Sequence, residues 1–347
     1  MSTPAPAPAT VGAPAGTDAT VLVASDLDRT LIYSSGALAL GMPDPQAPRL
    51  LCVEVHESKP LSYVTERAAA ELRALAAETV FVPTTTRTRK QYQRIRLLGD
   101  APAPKYAICA NGGHLLVDGV SDPDWHAGVL RRVAEACAPL SEVRAYLTAT
   151  TDLSWVRKHR VAEDLFAYLV VERERLPQDW LDRFTAWAGE RGWTVSLQGR
   201  KVYAVPRPLT KSAAVREVAR RTGATLTLAA GDSLLDADLL LAADRGWRPG
   251  HGELAGTEWT APHVTALPER GVTAGERIVR AFRAAARDHA AAREHAAVRE
   301  HAATPVDGTS PVDSTLPVNG APAPVPAPPS AVPPPPASPP AALPDPA

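Results

Sequence analysis

Short apolar runs that alternate with helical segments constrain the fold of this chain most strongly. Runs typical of buried strands lie at 21–24, 79–82 and 225–230. Apolar residues with helical spacing occupy 66–78 and 211–222. Strands that alternate with helices predict an α/β fold, in which helices cover both faces of a parallel sheet.

The pattern changes between about residues 114 and 205. Helices are indicated near 124–138 and 177–192, and strand-like runs lie at 167–171, 194–198 and 201–205. We therefore expect an α+β lobe, the insert (112–205), within a Rossmann-like core formed by 21–111 and 206–285. The core itself should also contain a strand at 106–110, a helix at 88–98 and a small hairpin in 34–64.

Both ends of the chain are rich in proline. Of the 35 prolines, 20 lie in 1–20 and 304–347. Such segments cannot bury enough apolar surface to offset their ordering entropy, so they are predicted to be disordered. An Ala- and His-rich helix extension, 286–303, is expected before the C-terminal tail. The tail could bind a protein partner or simply be solvated.

The charge balance limits the classes of partner. The 347 residues include 37 Lys and Arg against 38 Asp and Glu, which argues against non-specific nucleic-acid binding. No apolar run reaches the roughly 18–20 residues of a membrane span. The three cysteines, Cys52, Cys109 and Cys137, are odd in number and suggest no disulfide framework. Together these features favour a cytoplasmic protein.

Polar side chains follow three of the predicted strands. They are Asp26 and Asp28, then Thr84, Thr85 and Thr86, then Asp232 and Asp236, with Lys211 at the start of the preceding helix. Ligands of open parallel sheets bind beyond the carboxyl ends of the strands, so these groups should converge. Carboxylates without His or Cys favour a hard cation such as Mg²⁺. An aspartate can attack phosphorus, a second can protonate the leaving oxygen, and Thr and Lys can hold the phosphoryl group.

These groups, in this order, resemble the four motifs of the haloacid-dehalogenase-like (HAD) superfamily. The motifs are Asp26-Leu27-Asp28-Arg29-Thr30, then Thr85, then Lys211, then Gly231-Asp232-Ser233-x-x-Asp236. The roughly 125 residues between Thr85 and Lys211 resemble the type-two α/β cap of the Cof-like and sucrose-phosphate-phosphatase branch. Ile108–Gly113 is similar to the entry into that cap. The likeness covers most of 21–285.

The resemblance implies a role for each motif residue. Asp26 would be the nucleophile and a metal ligand, and Asp28 the general acid and base, with its backbone carbonyl on the metal. Thr85 and Lys211 would bind the phosphoryl group, and Asp232 and Asp236 would complete a Mg²⁺ site, Asp236 directly or through water. The implied activity is Mg²⁺-dependent hydrolysis of a small phosphate monoester, such as a sugar phosphate, through an aspartyl phosphate.

The resemblance is incomplete at Arg29, and it leaves the substrate contacts and the exact function open. Arg29 stands where this family commonly has Gly, and we expect its side chain to face solvent. Further substrate contacts are expected at Arg87, Asn111, Arg157 and Arg200. A phosphosugar mutase would use the same fold and nucleophile, and a non-enzymatic scaffold could recruit partners through the Pro-rich tail.

Overall fold

A computed structural model describes residues 20–303 of the chain. Its strands are β1 (Val21–Ser25), β2 (Leu50–His56), β3 (Lys59–Thr65), β4 (Val80–Pro83), β5 (Tyr106–Cys109), β6 (His114–Val117), β7 (Val120–Ser121), β8 (Val156–Ala162), β9 (Phe166–Val171), β10 (Trp193–Gln198), β11 (Lys201–Pro206), β12 (Leu226–Ala230), β13 (Arg245–Arg248) and β14 (Val264–Ala266). Its α-helices are α1 (Glu66–Glu78), α2 (Arg89–Tyr92), α3 (Pro123–Ala136), α4 (Leu140–Thr150), α5 (Gln178–Gly189), α6 (Lys211–Thr222), α7 (Ala237–Ala242), α8 (Glu253–Gly256) and α9 (Val272–Ala303). None of these helices is both long and apolar enough to cross a bilayer.

The central sheet is parallel and has the strand order β14-β13-β12-β1-β4. Strand β1 lies in its interior, and alternate residues of β1 pack on opposite faces. Val21 and Val23 belong to the apolar cluster that contains residues of α1 and α9. Leu22 and Ala24 belong to the cluster that contains residues of α6 and α7. A strand that is buried on both faces must be apolar throughout, which explains the unbroken apolar run at 21–24.

A second, antiparallel sheet of order β5-β6-β7 adjoins the edge of the parallel sheet. A parallel bridge joins Thr84 and Ile108 there, and the Thr85 N–H donates to the Ile108 carbonyl at 2.8 Å. The predicted strand at 106–110 is therefore present, but its main partner is the antiparallel β6. The first part of the insert thus extends the core.

The rest of the insert forms a four-stranded antiparallel sheet of order β10-β11-β9-β8. Its core is aromatic and includes the buried side chains of Phe166, Trp180, Phe184 and Trp193. Helices α4 and α5 contribute to the same cluster. This apolar cluster lets the insert bury a core of its own.

The helix predicted at 88–98 is much shorter than expected. Helix α2 ends at Tyr92, after a capping box formed by Thr88 and Gln91. Ile95 then bridges β2, and the Arg96 N–H donates to a carbonyl of β2 at 2.7 Å. The backbone of this segment pairs with the hairpin instead of continuing the helix. That competition between tertiary pairing and helical propensity has no local sequence signal.

The predicted hairpin in 34–64 is present as β2 and β3, which pair antiparallel from Leu50↔Thr65 to His56↔Lys59. The predicted disordered segments, 1–20 and 304–347, lie outside the described residues except for Thr20. Helix α9 includes the predicted extension at 286–303.

Candidate active site

The carboxyl end of β1 places the first two acids. The Asp26 N–H donates to the Ala230 carbonyl at 2.9 Å, so Asp26 continues the ladder with β12. The chain then turns sharply, because the Leu27 carbonyl accepts N–H groups from Thr30, Leu31 and Ile32. This turn directs Asp28 towards solvent: its side chain is 36% exposed, against 7% for Asp26. The buried and the half-exposed acid are thus suited to different roles.

Lys211 provides a buried positive charge next to Asp26. It is the first residue of α6, whose N-cap is Thr210, and its side chain is 1% exposed. The ammonium Nζ lies 2.6 Å from Asp26 Oδ1 and 2.6 Å from Asp236 Oδ1. Burial would lower the pKa of Lys211, but the carboxylates of Asp236 and Asp26 outweigh burial and raise it. The lysine therefore remains a cation and orients both acids.

Three carboxylates meet at this point. One oxygen from each of Asp26, Asp232 and Asp236 lies within 4.8 Å of the others. The second oxygen of Asp236 accepts the N–H groups of Asp232 and Ser233 and the Ser233 hydroxyl, at 2.7–3.2 Å. The loop after β12 therefore holds Asp236 in place, while Asp26 and Asp232 make fewer such bonds.

The charge at this cluster fits a divalent cation. Burial is the main reason that the pKa of Asp26 rises to about 7, and burial together with Asp26 raises the pKa of Asp232. Such shifts mean that the buried carboxylates lack sufficient compensating positive charge. The donor set consists of carboxylate oxygens, which is the chemistry that Mg²⁺ and similar hard cations prefer.

Asp28 is held by a guanidinium. Arg87 donates from Nε to Asp28 Oδ2 at 2.7 Å and from Nη2 to Asp28 Oδ1 at 2.8 Å. Burial would raise the pKa of Asp28, but the charge and hydrogen bonds of Arg87 lower it to about 2. A bidentate pair of this kind also fixes the orientation of the carboxylate.

The hairpin strand β2 supplies a second partner for Arg87. Arg87 Nη1 donates to Glu54 Oε2 at 2.8 Å, and the Ser62 hydroxyl donates to the same oxygen at 2.6 Å. Arg94 lies 3.0 Å from the other oxygen of Glu54, whose side chain is 1% exposed. The hairpin is therefore tied to the candidate acid and base through a chain of charged groups. Sequence reasoning missed Glu54 and Ser62, because they lie far from Arg87 along the chain.

Thr85 and Asn111 are buried near the strand ends. Thr85 Oγ1 accepts the Arg87 N–H at 3.1 Å, and the Asn111 N–H donates to the Thr85 carbonyl at 2.9 Å. The Asn111 amide donates to the Leu209 carbonyl at 2.8 Å, which links the entry and the exit of the insert. Asn111 thus lies where the insert joins the core, and it is not among the residues that line the cleft beside Asp28.

A cleft of about 770 Å³ opens beside Asp28. Its core side includes Arg29, Glu54 and Arg87, and its insert side includes the turn 198–201 and Tyr203. Arg200 is among the residues that line this cleft, and its contact with a substrate stays a prediction.

Two other arginines each have a carboxylate partner. Arg157 lies on β8, is not among the residues that line the cleft, and pairs with Glu172. Arg29 does not simply face solvent: its Nε lies 3.3 Å from Asp232 Oδ2, and its side chain is 34% exposed. Its φ of 65° explains why a glycine could occupy this turn, because the left-handed region carries no steric cost for glycine.

The sequence matches no protein-family model and no curated protein. Solved structures do resemble the fold. A sucrose-phosphatase from Synechocystis, solved with sucrose and phosphate, is 12% identical, with a TM-score of 0.51 over 76% of this chain and 98% of that chain. A Thermoplasma acidophilum protein is 12% identical, with a TM-score of 0.50 over 77% and 99%. A HAD-superfamily phosphatase from Bacteroides thetaiotaomicron is 15% identical, with a TM-score of 0.43 over 79% and 99%.

These likenesses concern the fold. The chain shares with the Synechocystis and Thermoplasma proteins an α/β fold, which here consists of a parallel sheet with helices on both faces and an inserted α+β lobe. The predicted fold class is thus confirmed.

Proposed function

We propose that this protein is a Mg²⁺-dependent phosphatase that hydrolyses a small phosphate monoester through a phosphorylated Asp26. One observation carries the proposal: the buried ammonium of Lys211 contacts Asp26 inside a carboxylate cluster, beside the cleft that exposes Asp28. The proximity of these groups at the carboxyl edge of the sheet supports the proposed roles of Asp26 as nucleophile, Lys211 as a cation for phosphoryl oxygens and Asp28 as the second acid.

Each residue has a defined task in the proposed reaction. A carboxylate oxygen of Asp26 forms a bond to phosphorus while the bond to the leaving alcohol breaks, and Asp28 gives that alcohol a proton. Lys211 and Thr85 hold the phosphoryl oxygens. Water then attacks the aspartyl phosphate and gives its proton to Asp28, which releases inorganic phosphate and restores Asp26.

The carboxylate cluster supports a proposed metal site, and the charge of Arg87 supports a role for that residue beside Asp28. Mg²⁺ held by Asp26, Asp232 and the Asp28 carbonyl, with Asp236 beside it, would neutralise the charge of the phosphoryl group. Arg87 keeps the Asp28 carboxylate ionised, which is the form that accepts the proton of water in the second step. For the first step Asp28 must be protonated, so the hydrogen bonds from Arg87 to Asp28 have to weaken when substrate binds.

The substrate is proposed to be a small sugar-like phosphate ester. The cleft volume of about 770 Å³ suits a metabolite. The Synechocystis sucrose-phosphatase of similar fold was solved with sucrose and phosphate bound. A cytoplasmic location remains a prediction from composition, and the Pro-rich tail could bind a protein partner or simply be solvated.

Phosphate release from phosphorylated sugars, nucleotides and small acids tests the proposal. Wild type would be compared, in Mg²⁺ and in EDTA, with Asp26→Asn and with Asp100→Asn, a control at an exposed position outside the site. We expect release that requires both Mg²⁺ and Asp26 and that is unchanged in the control. Transfer of phosphate to another position of the sugar would identify a mutase. Equal release by wild type and Asp26→Asn would contradict the assignment of the nucleophile.

A further inference from the structure

The charges that line the cleft are distributed unevenly between its two sides. On the core side each cation has a carboxylate partner: Arg29 pairs with Asp232, and Arg87 pairs with Asp28. Arg94, the third core cation, pairs with Glu54. The insert side presents Arg200 and Lys201. Within the part of the chain that the structure describes, no carboxylate forms an ion pair with either of them. The insert side therefore carries two cations outside any ion pair, of which Lys201 also interacts electrostatically with Asp28.

The two insert cations lie on a turn that is held in place. Arg200 lies in the β10–β11 turn, which Gln198 and Lys201 close as the last pair of the ladder. The Gln198 amide donates to the Ser233 hydroxyl at 2.9 Å, so the turn is tied to the loop that carries Asp232. A tethered turn at the mouth of the site presents its cations at a defined position, unlike a free surface loop.

Further bonds fix the same strand to the core. The Ser196 hydroxyl and the Leu197 N–H donate to the carboxylate of Glu253 at 2.6 and 3.1 Å. Glu253 also accepts the Leu234 N–H at 3.0 Å. This one carboxylate therefore bridges β10 of the insert and the loop after β12.

Lys201 is oriented by aromatic rings. Its Nζ lies 5.7 Å from the ring centroid of Tyr168 and 5.9 Å from that of Tyr203. Tyr203 lines the cleft as well. Rings at this distance favour a cation and restrict the lysine, which lowers the entropy lost when the ammonium binds an anion.

We propose that Arg200 and Lys201 bind a second anionic group of the substrate, a carboxylate or a second phosphate on the leaving-group side. This inference rests on the proposed phosphatase function. Asp28 lines the cleft, whereas Asp26 and Lys211 are buried and do not line it, so we assign the cleft to the leaving group and not to the transferred phosphoryl group. Charge-assisted bonds from a guanidinium and an ammonium suit either anion.

Matched pairs of compounds test this inference. Each pair has one phosphate ester without and one with a second anion: glycerol 3-phosphate against 3-phosphoglycerate, and glucose 6-phosphate against 6-phosphogluconate and glucose 1,6-bisphosphate. Each compound is measured as a competitive inhibitor of p-nitrophenyl phosphate turnover, and as a substrate where it is hydrolysed. We expect the affinity of the doubly anionic member to be at least about tenfold higher than that of its partner. The carboxylate and bisphosphate arms identify which anion the cleft accepts.

Variants assign the effect to the two residues. Arg200→Gln and Lys201→Gln should each weaken binding of the doubly anionic compound about 10-fold, with less than about a 3-fold change for its singly phosphorylated partner. Turnover of p-nitrophenyl phosphate, which lacks a second anion, should remain near that of wild type in Lys158→Gln. Lys158→Gln is the matched control, because Lys158 is an exposed cation of the insert that does not line the cleft.

The outcomes separate the inference from the function on which it rests. Absence of p-nitrophenyl phosphate turnover in wild type would refute the phosphatase and this inference with it. Normal turnover with equal inhibition by both members of every pair would overturn the inference alone. Arg200 lies in an exposed turn, so its variant remains informative if Lys201→Gln proves unstable.

Discussion

Replacing Asp26 by Asn should stabilise the metal-free protein at neutral and alkaline pH. The carboxylates of Asp26, Asp232 and Asp236 share a buried cluster in which Lys211 and Arg29 are the cationic partners. Asparagine keeps the shape of the side chain, and its carbonyl can still accept a hydrogen bond from Lys211. The substitution removes one negative charge from a cluster that has one too many.

The size of the effect follows from the pKa of Asp26. Burial raises this pKa from 3.8 to about 7. An acid with a raised folded-state pKa stabilises the fold fully below its unfolded pKa, and that stability is lost as the pH rises through the folded value. Wild type should therefore lose stability between about pH 4 and pH 7, by at most about 4 kcal/mol from this group. Asparagine does not titrate, so the variant should not lose this stability as the pH rises.

Urea unfolding in EDTA measures this difference. The free energy of unfolding of Asp26→Asn should equal that of wild type near pH 4 and exceed it by about 2–4 kcal/mol near pH 8. Excess Mg²⁺ should reduce or reverse the advantage, because wild type retains the ligand and gains more from binding. A variant that is less stable than wild type at every pH would refute the reasoning that Asp26 is a strained buried charge.

Three further changes test other parts of the structure. Gly112→Ala should lower the free energy of unfolding by about 2–4 kcal/mol, because φ is +99° and a Cβ would clash with a backbone oxygen at the start of α6. Gly119→Ala, where φ is +80° and the space is open, should lower it by only about 1 kcal/mol, and urea unfolding measures both. Glu253→Ala should lower the free energy of unfolding by about 2–5 kcal/mol, since the Ser196 hydroxyl and two backbone N–H groups lose their acceptor. An unchanged midpoint of urea unfolding would argue against the bridge that Glu253 forms. Deletion of 304–347 should leave the rate of phosphate release unchanged, and a large loss would show that the tail contributes to activity.

The sequence predicted the parallel sheet and the convergence of the motif acids for a simple physical reason. A strand buried on both faces must be apolar, and the chain becomes polar where the strand ends, as at Asp26 and Asp232. The order of strands and helices then places these ends at one edge of the sheet. Local patterns of this kind are directly visible in the chain.

Features that depend on distant partners could not be predicted. Helix α2 ends at Tyr92 because the following backbone pairs with β2, and nothing within 88–98 signals that contact. Glu54 is a buried acid only because Arg87 and Arg94 surround it. The basic surroundings of Arg157 predict a substrate contact, which stays a prediction, and its place on β8 beside Glu172 could not be predicted from them. In each case the partner, not the residue itself, determines the role.

The most direct test of the central claim is a search for phosphorylated Asp26. In Asp28→Asn, p-nitrophenyl phosphate should still transfer its phosphate, because p-nitrophenol leaves without protonation, whereas hydrolysis of the aspartyl phosphate should be slow without a base. We expect a burst of about one p-nitrophenol per site and a phosphorylated peptide that contains Asp26. A protein that turns over substrate with no burst, or with phosphate on another residue, would contradict the central claim.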